Sequence, residues 1–129
     1  MSNWTHIIGS LYIETYTERK NIKKYVENIL KNAPKITGSE DDADIFVNPL
    51  SGYNVSSWKE NKNGDFIHYQ TCVCITLAGD LRDRDMNRTE EEFNKFIEFI
   101  KSKFQIYYSS IAIYEDYSGE IRQYRKDWD

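Results

Sequence analysis

Two stretches with helical periodicity lie between stretches that alternate like β-strands, and their order restricts the possible folds. Strand patterns cover residues 4–16, 44–58, 66–78 and 106–115, and helical patterns follow the first and the third of them. The order β-α-β-β-α-β is that of the ferredoxin-like arrangement. We therefore predict an α+β fold, a ferredoxin-like sandwich in which an antiparallel sheet carries both helices on one face, because right-handed crossovers put them on the same side.

The first helix is predicted from apolar residues that recur at spacings of three and four, which gives a helix one stripe to bury. Thr17 is the predicted N-cap, and Pro34 prevents the helix from continuing past Asn32. The stripe consists of Ile22, Tyr25, Val26, Ile29 and Leu30.

The second helix is predicted to begin near Thr89. Thr89 and the three glutamates after it have the spacing of a capping box, with acidic side chains at the positive end of the helix. The predicted apolar face consists of Phe93, Phe96, Ile97, Ile100 and Phe104.

Alternation within the strand patterns predicts which side chains face the core. In the stretch 106–115, Ile111 and Ile113 are on the core side, and Tyr108 and Tyr114 are on the other side with Ser110 and Ala112. In the first strand, the predicted core side consists of Ile7, Gly9, Leu11 and Ile13.

Turn residues predict the connections between the strands. Pro49 and Gly52 interrupt the second strand pattern, and residues 61–64, Asn-Lys-Asn-Gly, are typical of a hairpin turn. A turn over 116–119 leads to a C-terminal edge strand at 120–125, so a β-hairpin extension completes the predicted fold.

Length and charge restrict the class of protein. With 129 residues, 40% of them apolar, the chain is predicted to form a single domain over residues 1–129. The formal net charge is −4, whereas a surface that follows phosphates needs clustered Lys and Arg, so direct nucleic-acid binding is not expected. Neither a signal peptide nor an apolar run of membrane-spanning length is visible, which predicts a cytoplasmic protein.

Cys72 and Cys74 lie two residues apart on a predicted strand and therefore share one face. Free cysteine is among the most buried residue types, so both are predicted to be buried thiols. They do not form a CxxC motif and have no His-rich cluster beside them. The sequence therefore predicts no metal site and no other cofactor.

An apolar run from Cys72 to Ala78 is followed by Gly79 and then by a cluster of charges. We interpret the run as a buried strand that ends at Gly79 and the charges as a binding loop, since loops on a rigid scaffold carry function. In that loop Arg82 offers a planar fork for phosphate or carboxylate. A solvated loop with internal Asp–Arg pairs is the alternative. The charged residues are Asp80, Arg82, Asp83, Arg84 and Asp85.

A second candidate loop, Gly38-Ser39-Glu40, lies between the first helix and the second strand. Ser39 supplies a hydrogen-bond donor and Glu40 an acceptor. The predicted fold places this loop at one end of the sheet, as it does Arg82, and leaves open whether the two ends are the same. An ordinary turn is the alternative interpretation.

His6 and His68 are the two histidines of the chain, each on a predicted strand. A histidine beside a carboxylate is suited to acid–base chemistry. However, no Ser-His-Asp, Cys-His or HExxH pattern is present. We therefore predict that the protein is not an enzyme and keep His6 as a candidate binding residue.

Three short motifs give the chain a resemblance to a family of small phage and prophage proteins, in which they occur in the same order. They are Trp4-x-His6-x-x-Gly9, Gly38-Ser39-Glu40 and Gly79-Asp80-Leu81-Arg82-Asp83. The chain departs from the family pattern at Asp41, where the family has glycine, and at Arg84, where it has an aromatic residue. The resemblance carries no assigned activity; it implies a phage accessory gene, and small acidic proteins of that kind resemble inhibitors of bacterial defence.

From the resemblance and the charge we expect a binding protein that antagonises a bacterial defence system. In one mechanism, an acidic surface imitates nucleic acid and occludes a defence protein such as a CRISPR effector. In the other, Arg82 and its neighbours sequester a nucleotide signal at a dimer edge. A virion or assembly component is the alternative, followed by a small nucleotide-processing enzyme. The expected binding residues are His6, Ser39, Glu40, Asp80, Arg82, Asp83 and Arg84.

The sheet face opposite the helices carries Tyr108 and Tyr114. Exposed aromatic area of this kind marks an interaction surface. We expect this face to be covered, either in a homodimer or by the C-terminal extension.

Chelator and reductant should leave the fold unchanged. The cysteines are predicted to be buried thiols, and a bridge between positions 72 and 74 would be strained in regular β geometry. Thermal unfolding followed by circular dichroism, with and without each reagent, measures this. A large fall in Tm with either reagent would contradict the prediction.

Overall fold

The computed structural model describes residues 2–15, 21–50, 56–57 and 69–126. It has the predicted α+β class, built from an antiparallel sheet and two helices. The elements are β1 (Trp4–Thr15), α1 (Ile22–Leu30), β2 (Asp44–Pro49), β3 (Ser56–Ser57), β4 (Tyr69–Arg82), α2 (Met86–Lys103), β5 (Gln105–Glu115) and β6 (Ile121–Lys126). Thr17, His68 and the turn predicted at 61–64 lie outside the described residues.

Strand β1 is the centre of the sheet, whose order is β2-β4-β1-β5-β6, with β3 paired to β4 outside this row. On one side β1 pairs with β4, from Trp4 opposite Arg82 to Thr15 opposite Thr71. On the other side it pairs with β5, starting with Thr5 opposite Glu115. All pairings are antiparallel, so the start of β1 lies beside the ends of β4 and β5.

One core lies between the sheet and both helices. The core-side residues predicted for β1 and β5 are confirmed, and α1 and α2 bury their apolar stripes in the same cluster. Full burial of one such side chain contributes about 1.5–3 kcal/mol. The assignment of Tyr25 to the buried stripe of α1 is wrong, because its side chain is 41% exposed at the margin of that stripe.

The strand that was predicted to end at Gly79 continues to Arg82. Asp80 and Arg82 lie opposite His6 and Trp4 of β1, and Leu81 between them is fully buried. The assignment of residues 79–82 to a loop is therefore wrong, and the connection to α2 comprises only residues 83–85. Alternation of an inward Leu81 with outward charges is a strand pattern, which the density of charges concealed.

Helix α2 begins one turn earlier than predicted. Asp85 is its N-cap, and the Asp85 carboxylate accepts a hydrogen bond of 2.8 Å from the backbone N–H of Arg88. Thr89 is buried within the helix, so the predicted capping box is wrong. Asp caps a helix as well as Thr does, and the earlier start also buries Met86.

The C-terminal strand widens the sheet instead of covering its open face. β6 pairs with β5 along the edge, from Tyr114 opposite Ile121 to Ser109 opposite Lys126. The expectation that the extension covers this face is therefore wrong for the described part of the chain. Tyr108 and Tyr114 are 37% and 39% exposed on that face, on the side of the sheet that their alternation predicted.

Both cysteines are buried free thiols. Cys72 lies opposite Glu14, whose side chain is also buried although the alternation placed it on the side away from the core. Burial, together with the nearby Glu14 carboxylate, raises the pKa of the Cys72 thiol, so this thiol stays protonated at neutral pH.

Replacement of Gly9 by alanine should destabilise the protein by about 1–3 kcal/mol, the usual cost of forcing atoms into a packed interior. A Cβ atom at this position would collide with the carbonyl oxygen of Ser110 and lie 2.5 Å from the Cα atom of Ile111, both on backbone that cannot swing away. Urea unfolding measures the change in free energy of unfolding.

Gly119→Asn is the matched control for this experiment. Gly119 has a left-handed φ of 69° and open space around it, and asparagine tolerates that conformation. An equal loss of stability in the two variants would contradict the explanation that glycine is needed at position 9 because β1 and β5 approach closely there.

Candidate functional site

The three sequence motifs meet at one end of the sheet. The start of β1 and the end of β4 lie side by side there, and the loop at 37–42 is tied to them by a hydrogen bond from the Ser39 backbone N–H to the Arg82 carbonyl, 3.0 Å long. We call this region the charged end. It consists of His6, Ser39, Glu40, Asp80, Arg82, Asp83 and Asp116.

His6 lies between two carboxylates. Its Nδ1 atom is 2.7 Å from Asp80 Oδ1, and its Nε2 atom is 2.9 Å from Asp116 Oδ1. The ring also stacks on Tyr114, with the two ring centres 5.9 Å apart. Because an ionised carboxylate only accepts hydrogen bonds, both ring nitrogens must donate, and His6 is an imidazolium cation in this arrangement.

The pKa of His6 agrees with this assignment. Partial burial lowers the pKa, but the hydrogen bonds to Asp80 and Asp116 and the charges of these carboxylates outweigh it, so the net pKa is raised. His6 therefore keeps its charge to a higher pH than an isolated histidine, and it holds the β4 end and the β5 turn together.

Arg82 is bound mainly by groups of its own chain. Nη1 donates to Glu40, Nε donates to the Ser2 hydroxyl at 3.0 Å, and the Asp83 carboxylate lies 4.0 Å from Nε. Two of the three guanidinium nitrogens are thus engaged within the protein. The guanidinium group of Arg82, a predicted ligand-binding group, joins strand β4 to the Ser39–Glu40 loop.

Asp83 adds a second tie between the same segments. Its carboxylate accepts a hydrogen bond of 2.9 Å from the Ser39 hydroxyl, and its backbone N–H donates to the Asn3 carbonyl at 2.7 Å. The Ser39 hydroxyl lowers the pKa of Asp83, with further help from Arg82 and Arg84. Asp83 has a left-handed φ of 59°, a conformation that Asp and Asn adopt more readily than most residues.

Arg84 and Glu92 hold the other side of the loop. Thr37 donates to the Glu92 carboxylate through its backbone N–H at 2.8 Å and through its hydroxyl at 2.6 Å. Arg84 reaches the same hydroxyl at 3.3 Å. Arg84 therefore lies next to the charged end and braces the loop against α2.

A buried carboxylate beneath the charged end connects three elements. Glu115 is 8% exposed and accepts hydrogen bonds from the Ser118 hydroxyl at 2.6 Å, the Met86 N–H at 2.8 Å and the Asn3 amide at 3.2 Å. Ser118 gives the largest contribution, and these donors together lower the pKa of Glu115 against the effect of its burial. The start of α2, the end of β5 and the N-terminal segment are thereby fixed together.

The predicted site residues therefore lie together, with some roles changed. Two groups of contacts lie at this end, His6 with Asp80 and Asp116, and Arg82 with Ser39, Glu40 and Asp83, and Arg84 lies next to the second group. The sequence analysis missed Asp116, which it treated as part of a turn, and it missed Glu115. An acid in line with Ile111 and Ile113 on the inward side of a strand was the signal for a buried polar network at Glu115.

The charged end presents mainly carboxylates to solvent. The side chains of Asp80, Glu40 and Asp83 are 77%, 56% and 51% exposed, and the side chain of Arg82 is 40% exposed. Asp41 and Asp42 next to Glu40 are exposed as well. The arrangement is thus suited to binding a cationic group rather than a phosphate.

Comparison with protein-family models, with curated proteins and with solved structures found no match to this chain. In the part of the chain that the structure describes, no helix is long and apolar enough to cross a membrane. Within the same residues, no group of three or more His, Cys, Asp or Glu side chains is placed to hold a metal ion.

The stabilising effect of His6 should decrease as the pH rises. The folded-state pKa is raised above the ordinary histidine pKa of about 6.5, so the contribution is fully present below that value and is lost as the pH passes the folded-state pKa. We expect the difference in free energy of unfolding between the wild type and His6→Gln to shrink as the pH rises from about 6.5 through the folded-state pKa of His6.

Urea unfolding across this pH range measures the difference. Asp80→Asn is a second test variant. It removes one of the two carboxylates that bind the imidazolium, so its effect on stability should change with pH in the same direction. A difference that grows with pH would contradict the charged state of His6.

Proposed function

We propose that this protein is a non-enzymatic binding protein of a phage or prophage that inhibits a bacterial defence protein in the host cytoplasm. In this proposal the charged end meets basic groups of the target that otherwise bind nucleic acid. The single observation that supports it is the balance of charge at the charged end: four carboxylates surround the two cations His6 and Arg82, and Asp80, Glu40 and Asp83 stay more than half exposed although they pair with these cations. Charge complementarity of this kind governs the partner and the rate of association.

Sequestration of a nucleotide signal is the less favoured mechanism. A phosphate needs unneutralised donors, and Arg82 gives two of its nitrogens to Glu40 and Ser2. The exposed Asp80 and Asp83 carboxylates would also repel a phosphate. This mechanism therefore requires the Arg82–Glu40 pair to open first.

An enzyme that uses His6 as a general base is a further alternative, because His6 pairs with two carboxylates. A base needs an unprotonated nitrogen within reach of a substrate. Both ring nitrogens of His6 are occupied in this arrangement, so the histidine acts as a cationic brace between Asp80 and Asp116.

The proposal extends to the fold family. The connection from β1 through α1 to β2 passes over β4, and the connection from β4 through α2 to β5 passes over β1. Two such interleaved crossovers are the feature of the split βαβ unit, so we assign the protein to the ferredoxin-like class with β6 as an added edge strand.

The function is tested by plaque formation on bacteria that carry cloned defence systems. Expression of the protein should raise the efficiency of plating on a responsive host. Replacement of the three exposed acids, by Glu40→Gln, Asp80→Asn and Asp83→Asn together, should reduce this effect by about tenfold or more, because long-range attraction to a basic partner is lost.

A matched control carries Glu27→Gln, Glu91→Gln and Glu98→Gln, which remove the same number of charges from exposed helix positions. Equal loss in both variants would assign the effect to net charge alone. A rise in Tm with a cyclic nucleotide, lost in Arg82→Ala but not in the acid variant, would instead establish the signal-sequestration mechanism.

A further inference from the structure

On the open face of the sheet, one large apolar side chain projects above small neighbouring side chains. Ile8 is 65% exposed, and its neighbours across the two adjoining strands are Ala78 and Ala112. Ile121 and Tyr114, at 59% and 39% exposure, border it on the β5–β6 side. We call these five residues the open-face patch.

The next row of residues on this face, two positions further along each strand, also has small side chains on the three central strands. Ser10 lies opposite Thr76 on one side and Ser110 on the other, so small side chains extend over the three central strands. A rigid apolar element can therefore approach the sheet closely here and contact Ile8 from the side.

Acidic residues border the open-face patch on two sides. Asp80 and Asp116 hold His6 at the end of the face nearest the patch, and Asp44 lies opposite Ala78 on β2. Asp80 and Asp44 are exposed. A cation of the same face, Arg125, is on β6 at the opposite edge. The border on the β2 and β4 side is thus negative.

The geometry points to a basic amphipathic helix of a target protein as the occupant of this face. Such a helix would pack its apolar stripe on Ile8 and Tyr114 and direct lysine or arginine toward Asp80, Asp116 and Asp44. This inference rests on the proposed function, and it specifies which part of the basic partner is bound. A helix about 10 Å in diameter fits the face, whereas an extended peptide adds to a sheet edge rather than to its face.

The size of the face favours a helix over a second copy of the chain. Five strands give a width of about 24 Å, and the stretch from His6 to Tyr12 gives a length of about 20 Å. The resulting area of about 480 Å² is below the roughly 800 Å² that each partner buries in a standard protein interface. The homodimer that the aromatic face suggested is therefore the competing occupant in the test.

The test measures the binding of a fluorescent 18-residue helical peptide made of leucine and lysine. A leucine–glutamate peptide of the same pattern is the control. Fluorescence anisotropy should show that the wild type binds the lysine peptide and not the glutamate peptide. Ile8→Ser should weaken this binding at least tenfold. Tyr25→Ser is the matched control, because it removes an exposed apolar side chain from α1, on the other side of the sheet, and should leave the binding unchanged.

A second pair of variants tests the acidic border independently. Asp80→Asn should weaken lysine-peptide binding several-fold, and Glu98→Gln, an exposed acid of α2, should not. Equal effects in the members of either pair, or no binding by the wild type, would overturn the inference. So would sedimentation equilibrium if it showed a wild-type dimer that Ile8→Ser dissociates.

The plaque assay separates this inference from the proposed function. If Ile8→Ser inhibits the defence system as fully as the wild type while the triple acid variant does not, the helix site is wrong and the proposed function stands. If the wild type binds the peptide through Ile8 but protects phage on no host, the binding surface is correct and the proposed function fails.

Discussion

Strand β1 is hydrogen-bonded along both edges, and the position of every other element depends on this pairing. β4 and β5 fill its two sides, β2 and β6 follow them outward, and each helix returns the chain across one intervening strand. The pairing also requires Gly9, since the backbone of β5 approaches β1 too closely for a side chain. A shift of register by one residue would turn Ile7 and Leu11 out of the core and His6 into it.

The charged end follows directly from that register. His6 is opposite Asp80 on one side and Tyr114 on the other, so its two carboxylates and its stacking partner come from both neighbouring strands. Each cation there is paired with carboxylates from a distant part of the chain, and these carboxylates outnumber the cations and stay partly exposed to solvent. The region thus has an ordered framework and a mainly negative surface, which is the reason why the proposed function favours a basic partner over a phosphate.

The sequence was informative wherever one local pattern decided the structure. Period-two alternation located the core-facing residues of β1 and β5, and helical spacing located those of α2. It failed where two local signals competed. The charges after Gly79 concealed the inward position of Leu81. Asp85 and Thr89 are both acceptable N-caps for α2, and the choice of Asp85 depends on the burial of Met86, which local sequence does not reveal. For the site, the motif residues were predicted, but their mutual contacts were not, because pairing of Arg82 with Glu40 or of His6 with Asp116 depends on register across distant strands. Glu115 was missed although its inward position was readable from the alternation.

The central position of the first strand has a consequence for how the chain is made. Residues 4–15 leave the ribosome before both of their neighbours in the sheet, because β4 begins at Tyr69 and β5 ends at Glu115. Asn3 reaches Glu115 across 112 residues. While most of the chain is being synthesised, the strand that later lies in the middle of the sheet has two unfilled edges and an apolar face. Contacts this distant in sequence slow folding, and unpaired strand edges favour aggregation. The sheet can therefore form around β1 only after β4 and β5 have been synthesised.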